Sequence, residues 1–221
     1  MSCRSFHKEV MNITNQKYEI TDIAHERYPF LHRIRALRDI GNQVKAGDLG
    51  GFVESESNLS FEPDDIAWIF EDAIACNSAY VDKGSTLRQQ AVACHNAYVS
   101  HNSILSGYAR AEDEAYLRGA FLTEHARASG FAVVVHNTKT LVGPVLSGHS
   151  VVYGKVSGDV RLSGTALVFS GEELCNDTLD TLVINSTKRT IIRSLDRDTL
   201  TCQGRQAELR EEKKKGGRCE R

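Results

Sequence analysis

The chain has 221 residues, of which 41% are apolar and 25% charged, with a formal net charge of −2. That balance excludes a protein drawn to nucleic acid or membrane by an excess of one charge. No run approaches the roughly 18 apolar residues of a spanning helix, and the opening MSCRSFHKEVMNITNQK has no apolar h-region, so a cytoplasmic location is expected.

In chain order, residues 1–17 read as a flexible leader and 18–60 as an N-terminal β cap with the first turn. Within it, YEITDIAHERYPFLHRIRALRDI alternates enough for a hairpin turning at His25–Pro29. AGDLGGFV, residues 46–53, reads as a glycine-bent turn leading into the first coil.

Residues 61–171 carry a repeat. Small residues fall every six positions at Ala73, Ala79, Ser85, Ala91, Ala97, Ser103, Ala109 and Ala115, each followed two positions later by an aliphatic or small residue. An α-helix would need a period near 3.6, whereas two inward residues flanking one outward residue is the alternation of a strand. A second period of 18 groups Ala75/Ala93/Ala111, Val81/Val99/Leu117 and Leu87/Leu105/Thr123. Three short strands per coil, with coils about 4.8 Å apart, explain it. The fold class is therefore all-β: a single-stranded parallel β-helix with small β caps at both ends. The repeat slips near residues 124–126 and resumes at Ala126 and Ala132. It breaks over NTKTLVGPVLSG, residues 137–148, and returns from Ser150 to Val168 with one shortened unit at Gly154–Ser157. Five to six coils are expected.

Residues 172–203 contain the strand-like runs TLVI, TIIRSL and TLTC and read as a C-terminal β cap. Residues 204–221 read as a charged tail, with Lys213, Lys214, Lys215, Arg218 and Arg221. Such a run is ordinarily a solvated tail; an arm for nucleic acid or an acidic partner is the sharper alternative.

The spacing resembles the hexapeptide-repeat left-handed β-helix proteins. The alanine-rich form, with RIRALRDIGNQVKAGDLGGFVESESNLS at residues 33–60, resembles the YdcK-like proteins of bacteria and their temperate phages. The resemblance covers roughly residues 18–170. It implies left-handed coils, against the usual right-handed crossover preference, and a phage or prophage accessory protein acting on a host partner.

Stacking at a period of 18 also places chemistry. Tyr80, Tyr98 and Tyr116 align on one outward column, which is either packing that supports the strands or an interaction surface. Asn77, His95 and Asp113 align at a corner. A carboxylate beside an imidazole can orient it as a general base, and in the hexapeptide-repeat acyltransferases a histidine takes the acceptor's proton. Those relatives are trimers that bind acyl-CoA between prisms, and residues 137–148 could form their projecting loop. Cys76 and Cys94 align one position earlier, but the six cysteines form no C-x-x-C pair, so free thiols and no metal site are expected. Polar corners are common in solenoids. The expectation is thus a non-catalytic scaffold or protein-interaction module without a cofactor, binding a protein partner or itself. The alternative is an acyltransferase using acetyl-CoA or another acyl-CoA, with His95 and Asp113 catalytic.

Overall fold

The repeat unit folds as two-residue strands such as Ile74–Ala75, Tyr80–Val81 and Thr86–Leu87, joined by sharp corners. A strand this short cannot stand alone; each is held by bonds to the coils beside it, as in Ile74 N to Ala91 O at 2.9 Å. In the computed structural model, which describes residues 14–194, these units stack into a parallel β-solenoid of about seven turns, where five to six coils were expected. Two observations add turns. Phe52 and Val53, on the strand Leu49–Val53, already pair in parallel with Ile74 and Ala75. Parallel pairing also continues past residue 171, with Glu173–Asn176 on Lys155–Gly158 and Leu182–Asn185 on Val160–Ser163.

Three faces result. The alanine face buries Ala75, Ala93, Ala111 and Ala128 in register, with Val53 before them and Val152 and Val168 after. The tyrosine face buries Val81, Val99, Leu117, Val134 and Val156. The leucine face buries Ile69, Leu87, Leu105, Leu122, Leu146 and Leu162. Large residues on two faces meet mostly small ones on the third, the complementarity that close packing of a triangular section requires. The leucine column corrects the sequence expectation: Leu122, not Thr123, pairs with Leu105. The slip therefore lies at 118–121, ahead of 124–126. There Gly119, at φ +61°, turns the chain one residue early.

Every lengthened corner lies on one edge. From the leucine to the alanine face the inward residues are always six apart, as in Leu105 to Ala111 and Leu146 to Val152. From the tyrosine to the leucine face the chain detours three times: Leu59 to Ile69, Val134 to Leu146, and Leu174 to Ile184. The loop that replaces the expected 137–148 break ends at Pro144, since Val145–Leu146 is again a strand. It folds back so closely that a Cβ on Gly143 would lie 2.0 Å from the Gly119 carbonyl. The shortened unit sits at the alanine–tyrosine edge instead, where a Cβ on Gly154 would meet two carbonyls at 2.4 Å.

Both ends are closed by antiparallel pairs, which cover strand edges that would otherwise recruit another chain. At the start, Tyr18–Ala24 pairs with His32–Ala36, which pairs with Leu49–Val53. Tyr18 packs edge-on to Trp68, and its hydroxyl donates to Leu59 O at 2.9 Å. Lys17, within the expected leader, is only 1% exposed and donates from Nζ to Ser60 O at 2.8 Å. At the far end Lys188–Ile192 pairs with Thr181–Asn185. The run TLTC, the charged tail and residues 1–13 lie outside the described residues. Among the described residues no helix is long and apolar enough to cross a membrane.

Candidate functional site

The tight corners put non-glycine residues in the left-handed backbone region, a conformation Asn, Asp and His tolerate best. Asn77, His95 and Asp113 have φ of 56°, 59° and 58°. Each N–H is met by a side chain from the coil before it. Glu54 Oε2 accepts from Asn77 N at 2.7 Å, and Asn77 Oδ1 from His95 N at 3.3 Å. His95 Nδ1 accepts from Asp113 N at 3.3 Å, and Asp113 Oδ2 from Gly130 N at 2.8 Å. The column that places His95 between Asn77 and Asp113 is thus one continuous ladder. The leucine–alanine edge repeats the device with Glu71 on Gln89 N and Gln89 on Gly107 N. At the tyrosine–leucine edge Asp65 accepts from Lys83 N and Gly84 N.

This geometry decides what His95 can do. Its Nδ1 lies 3.3 Å from Asp113 N and 3.2 Å from Asp113 Oδ1. A neutral ring that accepts at Nδ1 carries its proton on Nε2 and has no lone pair left to act as a base. A base at Nε2 needs Nδ1–H turned to Asp113 Oδ1, as an oriented imidazole requires. Asp113 is held below the usual carboxylate range first by the Ser129 hydroxyl and then by the Gly130 N–H, with His95 contributing less. Cys76 and Cys94 are free thiols. Burial pushes Cys76 up to about 11, with Cys94 adding to it, and burial likewise raises Cys94.

The tyrosine face carries a denser arrangement. Tyr80, Tyr98 and Tyr116 stand outward in register, with ring centroids 5.9 and 5.5 Å apart. All three are half-buried. Two positions on, Asp82, Ser100 and Arg118 share that face. The Tyr98 hydroxyl donates to Asp82 Oδ2 at 2.7 Å, and Ser100 Oγ lies 2.7 Å from His101 Nδ1. Desolvation first, then the charges of Lys83 and Arg118, lower His101. Desolvation raises Tyr80 and Tyr98, so both remain phenols at neutral pH. The triplets Tyr-Val-Asp, Tyr-Val-Ser and Tyr-Leu-Arg signal this second column in the sequence, once the strand alternation is applied.

A third column lies outside the sequence expectations. Tyr108, His125 and His149 stack along the leucine–alanine edge with centroids 5.0 and 4.7 Å apart and planes within 2° and 6° of parallel. Its signature is Leu-Ser-Gly-Tyr, Leu-Thr-Glu-His and Leu-Ser-Gly-His. The misplaced slip hid that register. Among the described residues no group of three or more His, Cys, Asp or Glu side chains is placed to hold a metal ion.

The chain matches no protein-family model and no curated protein.

Proposed function

We propose that this chain is a non-catalytic β-solenoid scaffold whose tyrosine face docks a protein partner or a second copy of itself. The carrying observation is the column of three half-buried tyrosines on one face. Tyrosine presents a large apolar area with a polar tip and loses little side-chain entropy on binding, which is why it is enriched at interfaces. The three corner insertions lie along the edge of that same face, and repeat proteins gather their insertions on a binding side. A hexapeptide-repeat, left-handed solenoid of the YdcK-like kind, cytoplasmic and acting for a phage or prophage on a host partner, is the finer form of this proposal. A cofactor has no part in it.

The test compares wild type with Tyr98→Ser plus Tyr116→Ser in a pull-down from host lysate, with solution mass from light scattering. A captured protein or a dimer that disappears in the variant supports the reading. Identical partners and identical mass refute it.

The second reading, an acyltransferase with His95 as base, draws on the 3.2 Å approach of His95 to Asp113. Calorimetry with acetyl-CoA decides it: binding by a trimer, with turnover lost in His95→Ala, replaces the scaffold proposal, and no binding removes the enzyme.

A further inference from the structure

The first corner insertion does more than cap. Between Leu59 and Ala67 it swings out beside Tyr80, and the open recess it forms with the next two coils has a volume of about 520 Å³. Glu62, Asp64, Asp65, Tyr80 and Asp82 line this recess, and Lys83 supplies one opposing charge. Asp65 is committed, since its two oxygens accept the Lys83 and Gly84 N–H groups at 2.7 and 2.8 Å and Ala67 N at 2.8 Å. Asp82 is not. It is 7% exposed; Oδ2 accepts from Tyr98, while Oδ1 is buried with no hydrogen-bond partner. A buried carboxylate oxygen without a donor is expensive, because its hydration has been lost and nothing replaces it. The carboxylates also act on one point: Asp82, Asp65 and Glu62 all bear electrostatically on the Tyr80 phenol. The recess thus joins a negative field, an aromatic ring and an unanswered acceptor.

We infer that this recess seats a cationic side chain, the guanidinium of arginine or the ammonium of lysine, presented by a basic segment of the protein that docks on the tyrosine face. The inference rests on the docking reading above and gives its partner a chemistry. The cation lies against the Tyr80 ring, where cation–π attraction adds to ion pairing with the recess carboxylates, and its charge answers the Asp82 carboxylate, whose Oδ1 no donor meets. A bare metal ion is the poorer occupant, because the carboxylates do not converge as a ligand set. Tyr98 and Tyr116 continue the contact along the face, so the arginine or lysine sits at one end of the bound segment.

The probe is tetra-arginine amide, titrated calorimetrically into the full chain at low salt, with tetraglutamate as the opposite charge. Wild type binds tetra-arginine and ignores tetraglutamate. Asp82→Asn weakens tetra-arginine about tenfold or more, the loss typical of removing one partner of a desolvated charge pair. Glu114→Gln, an exposed acid away from the recess, changes affinity less than about twofold. The Asn variant keeps an acceptor for Tyr98, and its circular dichroism and melting confirm the fold. Equal affinity of Asp82→Asn and wild type, or no tetra-arginine binding at millimolar concentration, overturns the inference. A lysate partner lost with the tyrosine variants but kept by Asp82→Asn leaves the docking face and removes the recess. Tetra-arginine binding lost in Asp82→Asn, with lysate partners indifferent to the tyrosines, keeps the recess as a cation site and removes the docking face.

Discussion

Lys17→Met is expected to stabilise the fold at neutral pH and to destabilise it in alkali. Lys17 is 1% exposed, and its ammonium has a single hydrogen bond, to Ser60 O. Burial lowers it from 10.5 to about 8 against the attraction of Asp65, with Arg38 adding to the fall. A drop of that size corresponds to about 3 kcal/mol of penalty on the charged form. The sign follows from proton binding. Between about pH 8 and 10.5 the unfolded chain holds the Lys17 proton and the folded chain does not, so the wild type gains stability as pH rises through that window. Below pH 8 the whole penalty applies. Methionine removes it, keeps the packing of the stem, and leaves Ser60 O without a donor at a cost of about 1–2 kcal/mol. The net is a gain of about 1–2 kcal/mol at pH 7. Near pH 11 the penalty is gone and only the lost hydrogen bond remains, so the variant is less stable there by about 1–2 kcal/mol. Urea unfolding of both proteins at pH 7 and pH 11 measures it, tyrosine ionisation being common to the two. A difference that keeps its sign and size across this range would falsify the reasoning.

At the corner ladder, His95→Asn should leave stability within about 0.5 kcal/mol, since asparagine tolerates the left-handed corner and can accept the Asp113 N–H; His95→Ala should lose about 1–2 kcal/mol, and equal melting of the two variants would contradict the ladder. Glu112 is buried and paired with the guanidinium groups of both Arg110 and Arg127, two residues that sit in register on the alanine face. Glu112→Ala leaves two like charges adjacent, and a loss of about 1–3 kcal/mol in thermal melts is expected, with Arg127→Leu in the same chain recovering part of it. Gly143→Ala must displace the Gly119 carbonyl, and faster amide exchange around residues 119 and 143 is the expected outcome. The Cys76 and Cys94 thiols, raised by burial, should alkylate with iodoacetamide far more slowly at pH 8 than a free thiol does.

The regular part of the solenoid was open to sequence reading because burial there is strictly periodic. Every sixth residue from Ala73 to Ala115 is fully buried, and the tyrosine column follows from arithmetic on the same period. Leu122 was misplaced because both Leu122 and Thr123 satisfy a loose inward pattern. A five-residue corner at Gly119 decides between them, and that is a matter of backbone conformation at one residue. The same error hid Tyr108, His125 and His149. The extent of the solenoid was underestimated at both ends: Leu174 and Ile184 follow Glu172 and Leu182 where the repeat has a small residue, and Gly51-x-Val53 and Ser57-x-Leu59, which do fit the pattern, are cut off from the next coil by the ten-residue step from Leu59 to Ile69. The orphaned oxygen of Asp82 was beyond reach, since it arises where the 60–66 detour meets two later coils. His95 between Asn77 and Asp113 was legible as a column. Its role as an acceptor for the next N–H depends on ring orientation and was not.

The docking role of the tyrosine face is tested most directly by placing a photo-crosslinking phenylalanine analogue at Tyr98, with Glu114 on the alanine–tyrosine edge as the control position. The account predicts a discrete adduct from Tyr98, with one partner or a second copy of the chain, and none from Glu114. No adduct at Tyr98 above the Glu114 background contradicts it.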